Sequence, residues 1–313
     1  MEKFRLIPLL TAAVMGCTAL LAGCGKGSDS PSSKAEEGAK TSDDGSINKD
    51  LTATELARLL GNGTNLGNTM EAYGHKSYSA DTDPESFETF WGQPVTTEEM
   101  IKGMKASGFD SLRVPVAWTN AMEYEKGDYT INEAYLDRVE EIINYALDND
   151  MYVIINDHWD GSWWGMFGSS EQSDVDKAFE MYKSMWTQIA NRYKKYSDRL
   201  IFEGANEELG DRLNDTDVCK NSGSLSKAEC YEMANKINQT FVDTVRATGG
   251  NNEQRFLLIA GYNTDITMTC SNKFQMPTDT AKDKLLLSVH YYTPWDYCGT
   301  CLLYTSDAAD DRI

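Results

Sequence analysis

Residues 132–158 read NEAYLDRVEEIINYALDNDMYVIINDH. Leu136, Val139, Ile142, Ile143, Ala146 and Leu147 recur at helical spacing, so 132–150 is expected to form a helix with one apolar face. Residues 151–156, MYVIIN, then form a continuous apolar run. A run of that length, apolar at successive positions, suits a strand buried on both faces of a sheet. It gives out at Asp157 and His158. A helix feeding a buried strand that ends in polar residues is one unit, and the fold follows from whether that unit repeats.

It does repeat. TTEEMIKGMKASG (96–108) opens with Thr96 three residues before Glu99, a capping box. It carries Met100, Ile101 and Met104 along one face, stops at Gly108 and leads into FDSLRVPV (109–116). DVDKAFEMYKSMWTQIANRYKKY (174–196) precedes RLIFEGAN (199–206). SKAECYEMANKINQTFVDTVRATGG (226–250), with Ser226 and Glu229 as a second capping box and Gly249 as a stop, precedes RFLLIAGY (255–262). With GNGTNLGN (61–68) and KLLLSVHYY (284–292) these make six candidate strands. Apolar strands alternating with helices imply a parallel sheet covered by helices, either doubly wound and open or closed as a (β/α)8 TIM barrel. No glycine-rich phosphate loop follows the first strand, which counts against a nucleotide site. Polar residues do end the strands: Asn65 and Asn68, Arg113, Asp157 and His158, Asn206 and Glu207, and His290. In a barrel those ends converge on one face, where active sites form.

The chain has 313 residues, 49 acidic against 29 basic, for a formal charge of -20. Such a balance repels a phosphate backbone, so nucleic acid is excluded as an expected partner. Lys3 and Arg5 precede the apolar stretch LIPLLTAAVMGCTALLAG (6–23), and Leu21-Ala22-Gly23-Cys24 resembles a bacterial lipobox. Residues 1–23 are therefore expected to be a lipoprotein signal peptide, with a lipid on Cys24 anchoring an exported protein to the cell envelope, at the surface or in the periplasm. Residues 24–48, rich in Ser, Gly, Asp and Glu, read as a solvated tether to a domain over 49–300. Outside the cytoplasm disulfides are permissible; Cys219 with Cys230 and Cys270 with Cys298 are the simplest of three pairings. No Cys or His spacing indicates a metal, and no cofactor or obligate protein partner is expected.

Six segments narrow the reading: NLGNTMEAYG (65–74), FETFWGQPVTTEEMI (87–101), GFDSLRVPVAW (108–118), MYVIINDHWDG (151–161), LIFEGANEELGDRLND (200–215) and LLLSVHYYTPW (285–295). In this order and spacing the chain resembles glycoside hydrolase family 5, and most nearly its bacterial endoglucanases, from about residue 55 to 298. The resemblance implies a (β/α)8 barrel that cleaves a β-linked polysaccharide with retention of configuration. It places Asn206 and Glu207 at the end of the fourth strand, taken as 200–207, with Glu207 as general acid/base and Asn206 on the sugar 2-hydroxyl. An acid in that role needs a raised pKa, which leaves Glu203 and Glu208 as neighbours that tune it or do nothing. It implies that Arg113 supports the nucleophile, that His158 lies beside the sugar cleaved, and that His290 and Tyr292 form the sixth strand's His-x-Tyr. Many relatives have a second histidine where this chain has Trp159. Trp159, Trp163, Trp164 and Trp295 are expected to wall a cleft, with Asp160 and Asn68 binding hydroxyls.

Retention needs a second carboxylate, which the resemblance puts after a seventh strand. The segment following HYYTPWDYCG (290–299) carries no strand pattern and no glutamate. Residues 301–311, CLLYTSDAADD, can be back-translated into a sequence resembling a transposase-type library adapter, so 301–313 is expected to be non-native and the barrel to hold about six of eight units. The expected activity is an endo-β-1,4-glucanase on cellulose-like or mixed-linkage glucan; with the nucleophile missing and the first and sixth strands left as unpaired edges, these residues alone are expected to be poorly folded and inactive. Xyloglucan, xylan and mannan remain alternative substrates, and a noncatalytic glycan-binding lipoprotein is the alternative from another class. A periplasmic solute-binding protein would need two α/β lobes, which the pattern lacks.

Overall fold

The computed structural model describes residues 42–214 and 223–298. The chain divides into two units, 1–38 and 39–313, and every described residue lies in the second. Cys24 and Cys219 fall outside the described residues.

Strands β1 (Gly63–Asn65), β2 (Ser111–Val114), β3 (Tyr152–Asn156), β4 (Leu200–Glu203), β5 (Leu257–Asp265) and β6 (Leu285–His290) form one parallel sheet in chain order. This is the order of the first six strands of a (β/α)8 barrel. Helices α1 (Ala53–Leu59), α2 (Pro84–Thr89), α3 (Glu98–Ala106), α4 (Glu133–Asp148), α5 (Gln172–Tyr193) and α6 (Lys227–Ala247) fall before or between the strands. The apolar faces of α4, α5 and α6 enter the main core: Val139, Ile142 and Ile143 from α4, Met185, Trp186 and Ile189 from α5, and Ile237, Phe241 and Val245 from α6 are all fully buried. A smaller cluster packs Leu56 of α1 against Ile201 and Phe256, with Ile154, Leu258 and Leu286 beside them. The first helix thus covers the barrel end opposite the strands' C-terminal ends.

The expected element starts hold with small shifts. The Ser226–Glu229 capping box is formed. The other expected box is not: Thr97, rather than Thr96, caps α3, accepting from the backbone N–H of Met100. Thr96 instead gives its backbone N–H to buried Glu88, at 2.6 Å. The fourth strand stops at Glu203, four residues short of the expected end, because the chain bends at Gly204. A β-carbon there would lie 2.8 Å from the Phe241 ring, so only glycine admits α6 this close. The domain also begins before residue 49. Asp43 accepts from the backbone N–H and hydroxyl of Ser197 at 2.9 and 2.6 Å, and the Lys284 ammonium donates to the Asn48 carbonyl at 2.8 Å. Cys230 carries a buried free thiol, and Cys270 and Cys298 carry exposed ones. The 270–298 bridge is therefore not formed. Among the described residues no helix is long and apolar enough to cross a membrane.

Candidate active site

The site starts inside the sheet. Arg113 on β2, Glu203 on β4 and Ser288 on β6 meet at one level, as expected where alternate strands of a barrel supply one layer of inward side chains. The Arg113 Nε donates to Glu203 Oε2 at 2.6 Å and the Ser288 hydroxyl to Oε1 at 3.0 Å. Glu203 is fully buried, and both its oxygens are bonded. The arginine also faces outward: Nη2 donates to Asn206 Oδ1 at 3.0 Å and Nη1 to Asn65 Oδ1 at 3.3 Å. With Oδ1 so engaged, the Asn206 amide NH2 is the group left for a ligand hydroxyl.

Above this layer opens a cavity of about 600 Å³ lined by Glu71, His158, Trp159, Asn206, Glu207 and His290, among others. Glu207 receives hydrogen bonds on Oε1 from His290 Nδ1 and from the Tyr292 hydroxyl, both at 2.6 Å. The His290 bond, set against burial and helped by Tyr292, holds its carboxyl down at about 2. The raised pKa expected of an acid is thus not found in this geometry, because two donors favour the anion. Tyr292 keeps its proton: burial first, then the bond to Glu207, pushes it to about 12. His158 is pushed the other way, to about 3, by burial and then by the Arg113 charge, so it is neutral at pH 7. Asn156 Nδ2 lies 3.2 Å from His158 Nδ1, which as an acceptor leaves the ring proton on Nε2.

The structure therefore brings together Arg113, His158, Trp159, Asn206, Glu207, His290 and Tyr292 around one cavity. Four of the other expected contacts fail. Trp163 and Trp164 are 0% and 2% exposed and pack on Phe167 and Tyr182, so they are core and not cleft wall. Asp160 is fully buried, accepting from the backbone and hydroxyl of Thr119 and from the Trp163 indole, which leaves nothing for a sugar. The cause is the 3-10 helix Asp160–Gly168, whose three-residue period stacks Asp160 on Trp163. Asn68 is exposed, in the left-handed conformation, and does not line the cavity. Trp295 stands 60% exposed, its ring 5.9 Å from that of Tyr292.

Glu71, Ser288 and Tyr291 were missed, and all three line the cavity. Glu71 accepts the backbone N–H groups of Asn68 and Thr69 and thereby shapes the loop after β1. Its spacing from Asn68, that of a helix-capping pair, was the available signal. Glu208, a tuning neighbour or a bystander on the sequence alone, is buried and accepts the Trp159 N–H at 2.9 Å and the Asn206 N–H at 2.7 Å.

Comparison with known proteins agrees with this geometry. The model of the cellulase family, glycosyl hydrolase family 5, matches residues 75–311. The chain belongs to glycoside hydrolase family 5. It is 39% identical over 249 residues to a xyloglucan-specific endo-β-1,4-glucanase of Bacteroides ovatus, a match covering 80% of this chain and 46% of that protein. It is 37% identical over 266 residues to endoglucanase A of Paenibacillus barcinonensis, covering 80% and 61% respectively. Among solved structures, a broad-specificity endoglucanase of this family from Ruminococcus champanellensis with bound cellotriose superposes with a TM-score of 0.68. That match is 39% identical and covers 79% of this chain and 68% of the other. A family 5 enzyme of Prevotella bryantii in complex with a xyloglucan tetradecasaccharide gives the same TM-score at 36% identity, covering 79% of this chain and 68% of that one. The chain thus spans about half to two thirds of the length of the two curated relatives and is a member of a family of glycan hydrolases.

Proposed function

We propose that this protein is a retaining endo-β-1,4-glucanase acting on cellulose-like, mixed-linkage and xyloglucan chains, with Glu207 as general acid/base. The observation that carries the reading is the Glu207 carboxyl at the end of β4, gripped on one oxygen by His290 and Tyr292 and facing a cavity beside Asn206 and His158. Xyloglucan is included because a relative at 39% identity is named for it.

In this reading Glu207 gives a proton to the departing glycosidic oxygen and later takes one from water. Covering the half-buried carboxyl with a sugar, and bringing a second carboxylate near it, would both raise its pKa from the resting anion. Asn206 donates its amide to the 2-hydroxyl, and neutral His158 offers Nε2–H. Among the described residues the carboxylates lining the cavity beside Glu207 are Glu71 and Glu203. Glu71 holds two backbone N–H groups, and Glu203 holds Arg113 and Ser288. Both are thus engaged within the protein, and in this reading neither is the nucleophile.

Two measurements test this. The 25–313 polypeptide is expected to bind cellotetraose but not to hydrolyse carboxymethyl cellulose, and sustained hydrolysis would show that a residue in hand supplies the nucleophile. Azide, a small external nucleophile, should restore cleavage of an alkyl β-cellobioside, forming the α-glycosyl azide as the glycosidic C–O bond breaks; because the leaving alkoxide must be protonated, Glu207→Gln should abolish that rescue while leaving oligosaccharide binding intact. An unaffected Glu207→Gln protein would remove Glu207 from the mechanism. The envelope location is tested separately: Cys24→Ala should lose incorporation of labelled palmitate.

A further inference from the structure

Trp159 sits where the chain leaves β3, and its backbone is unusual. With φ 59° and ψ −36° it occupies a region that residues with side chains rarely adopt. Such a conformation is strained and persists only when its surroundings over-determine it. Two neighbours do so. Glu208 divides its carboxylate between two backbone donors, Trp159 N–H at 2.9 Å and Asn206 N–H at 2.7 Å, and so ties the end of β3 to the end of β4. The Arg212 guanidinium lies 3.9 Å from the centroid of the indole ring. Arg212 is itself carried on a fixed base: the preceding residue, Asp211, accepts from the Tyr262 hydroxyl at 2.8 Å and from Asn263 Nδ2 at 3.0 Å, both at the end of β5.

One face of the indole is thus covered by a cation, its backbone is pinned by a buried acid, and the residue lines the cavity next to Glu207. A flat ring fixed in this way presents its remaining surface to the C–H faces of a pyranose. We infer that Trp159 is a sugar-stacking platform and that Glu208 and Arg212 are the positioning residues that set its orientation. The inference rests on the glucan-binding reading of the cavity. It gives Glu208 a role in substrate binding that its place beside the general acid/base would otherwise hide.

Calorimetric titration of the full chain with cellotetraose tests it, using Glu208→Gln, Arg212→Met and Trp159→Ala singly and the first two each combined with Trp159→Ala. Glu208→Gln leaves one backbone N–H facing an amide NH2, and about tenfold weaker binding is expected. Arg212→Met removes the cation and keeps the bulk, for about a threefold loss, and Arg212→Lys should recover part of it. If both act through the ring, neither weakens binding further once Trp159 is alanine. Full additivity in that background, or wild-type affinity in the single variants, overturns the inference while leaving the cavity's function standing. A wild-type chain that does not bind cellotetraose overturns both. Arg212 is partly exposed and lies outside the buried core, so the cycle through Arg212 decides the matter even if Glu208→Gln fails to fold.

Discussion

Replacing Glu208 by glutamine should change how stability depends on pH, and the size of the change follows from burial. Burial, opposed by the N–H groups of Trp159 and Asn206, moves the Glu208 carboxyl from an ordinary 4.5 up to about 7. The folded state therefore binds the proton more tightly than the unfolded one. Below pH 4.5 both states are protonated and this preference counts in full. As pH rises through 4.5 the unfolded chain ionises first, and the folded state loses its advantage progressively until about pH 7. Over that interval the displacement corresponds to about 3 kcal/mol. Glutamine cannot ionise, so urea unfolding of the variant should lack this component. Between pH 4.5 and pH 8 the wild type should lose about 3 kcal/mol more than Glu208→Gln does. Glu71 is also raised by burial but titrates alike in both proteins and cancels in the difference, whereas Asp157, raised by burial and in part by the Glu208 charge, loses that part in the variant. Parallel stability curves would refute the reasoning, because they would mean that Glu208 is ionised at an ordinary pH in the folded chain.

Arg113→Ala should destabilise the fold by about 3–5 kcal/mol in urea unfolding, since it strands the fully buried Glu203 carboxylate; pairing it with Glu203→Gln should recover a large part of the loss. Removing both donors from Glu207, by His290→Ala with Tyr292→Phe, should raise its carboxyl titration from about 2 toward 4.5, as read by carbon-13 NMR of labelled glutamate; an unmoved titration would mean the two bonds are not what holds it down. Gly204→Ala should cost about 1–3 kcal/mol, because the new methyl meets the Phe241 ring at 2.8 Å.

The fold was legible because two periodicities alternate without interruption. Leu136 to Leu147 spell a helix face, 151–156 a strand buried on both sides, and the same pairing recurs before β2, β4 and β5. The catalytic candidates were legible for a related reason. A polar residue that closes an apolar run has few places to go except the strand-end face, and Asn206, Glu207, His158 and His290 all went there. Where the reading failed, distant partners decide. Nothing local to Thr119 announces that it will hold Asp160, and nothing local to Tyr182 announces that it will pack on Trp163 and Trp164. Those tryptophans are dense in the sequence because they fill the core under the loop.

Glu203 and Glu208 show how the same residue type divides by register. In FEGANEELGD, Glu203 lies within β4 and points into the barrel layer, where an arginine two strands away neutralises it. Glu207 and Glu208 lie past the bend at Gly204, where strand alternation no longer applies. One reaches the cavity, and the other turns back under it to hold two backbone donors. The consequence is a separation of properties. The acid facing the cavity is held as an anion by hydrogen bonds, while the acid behind it is driven toward neutrality by burial. Perturbed titration by itself would have selected Glu208 as the proton donor. Under the proposed mechanism geometry favours Glu207 instead, because it lines the cavity while Glu208 is buried and engaged by the Trp159 and Asn206 N–H groups.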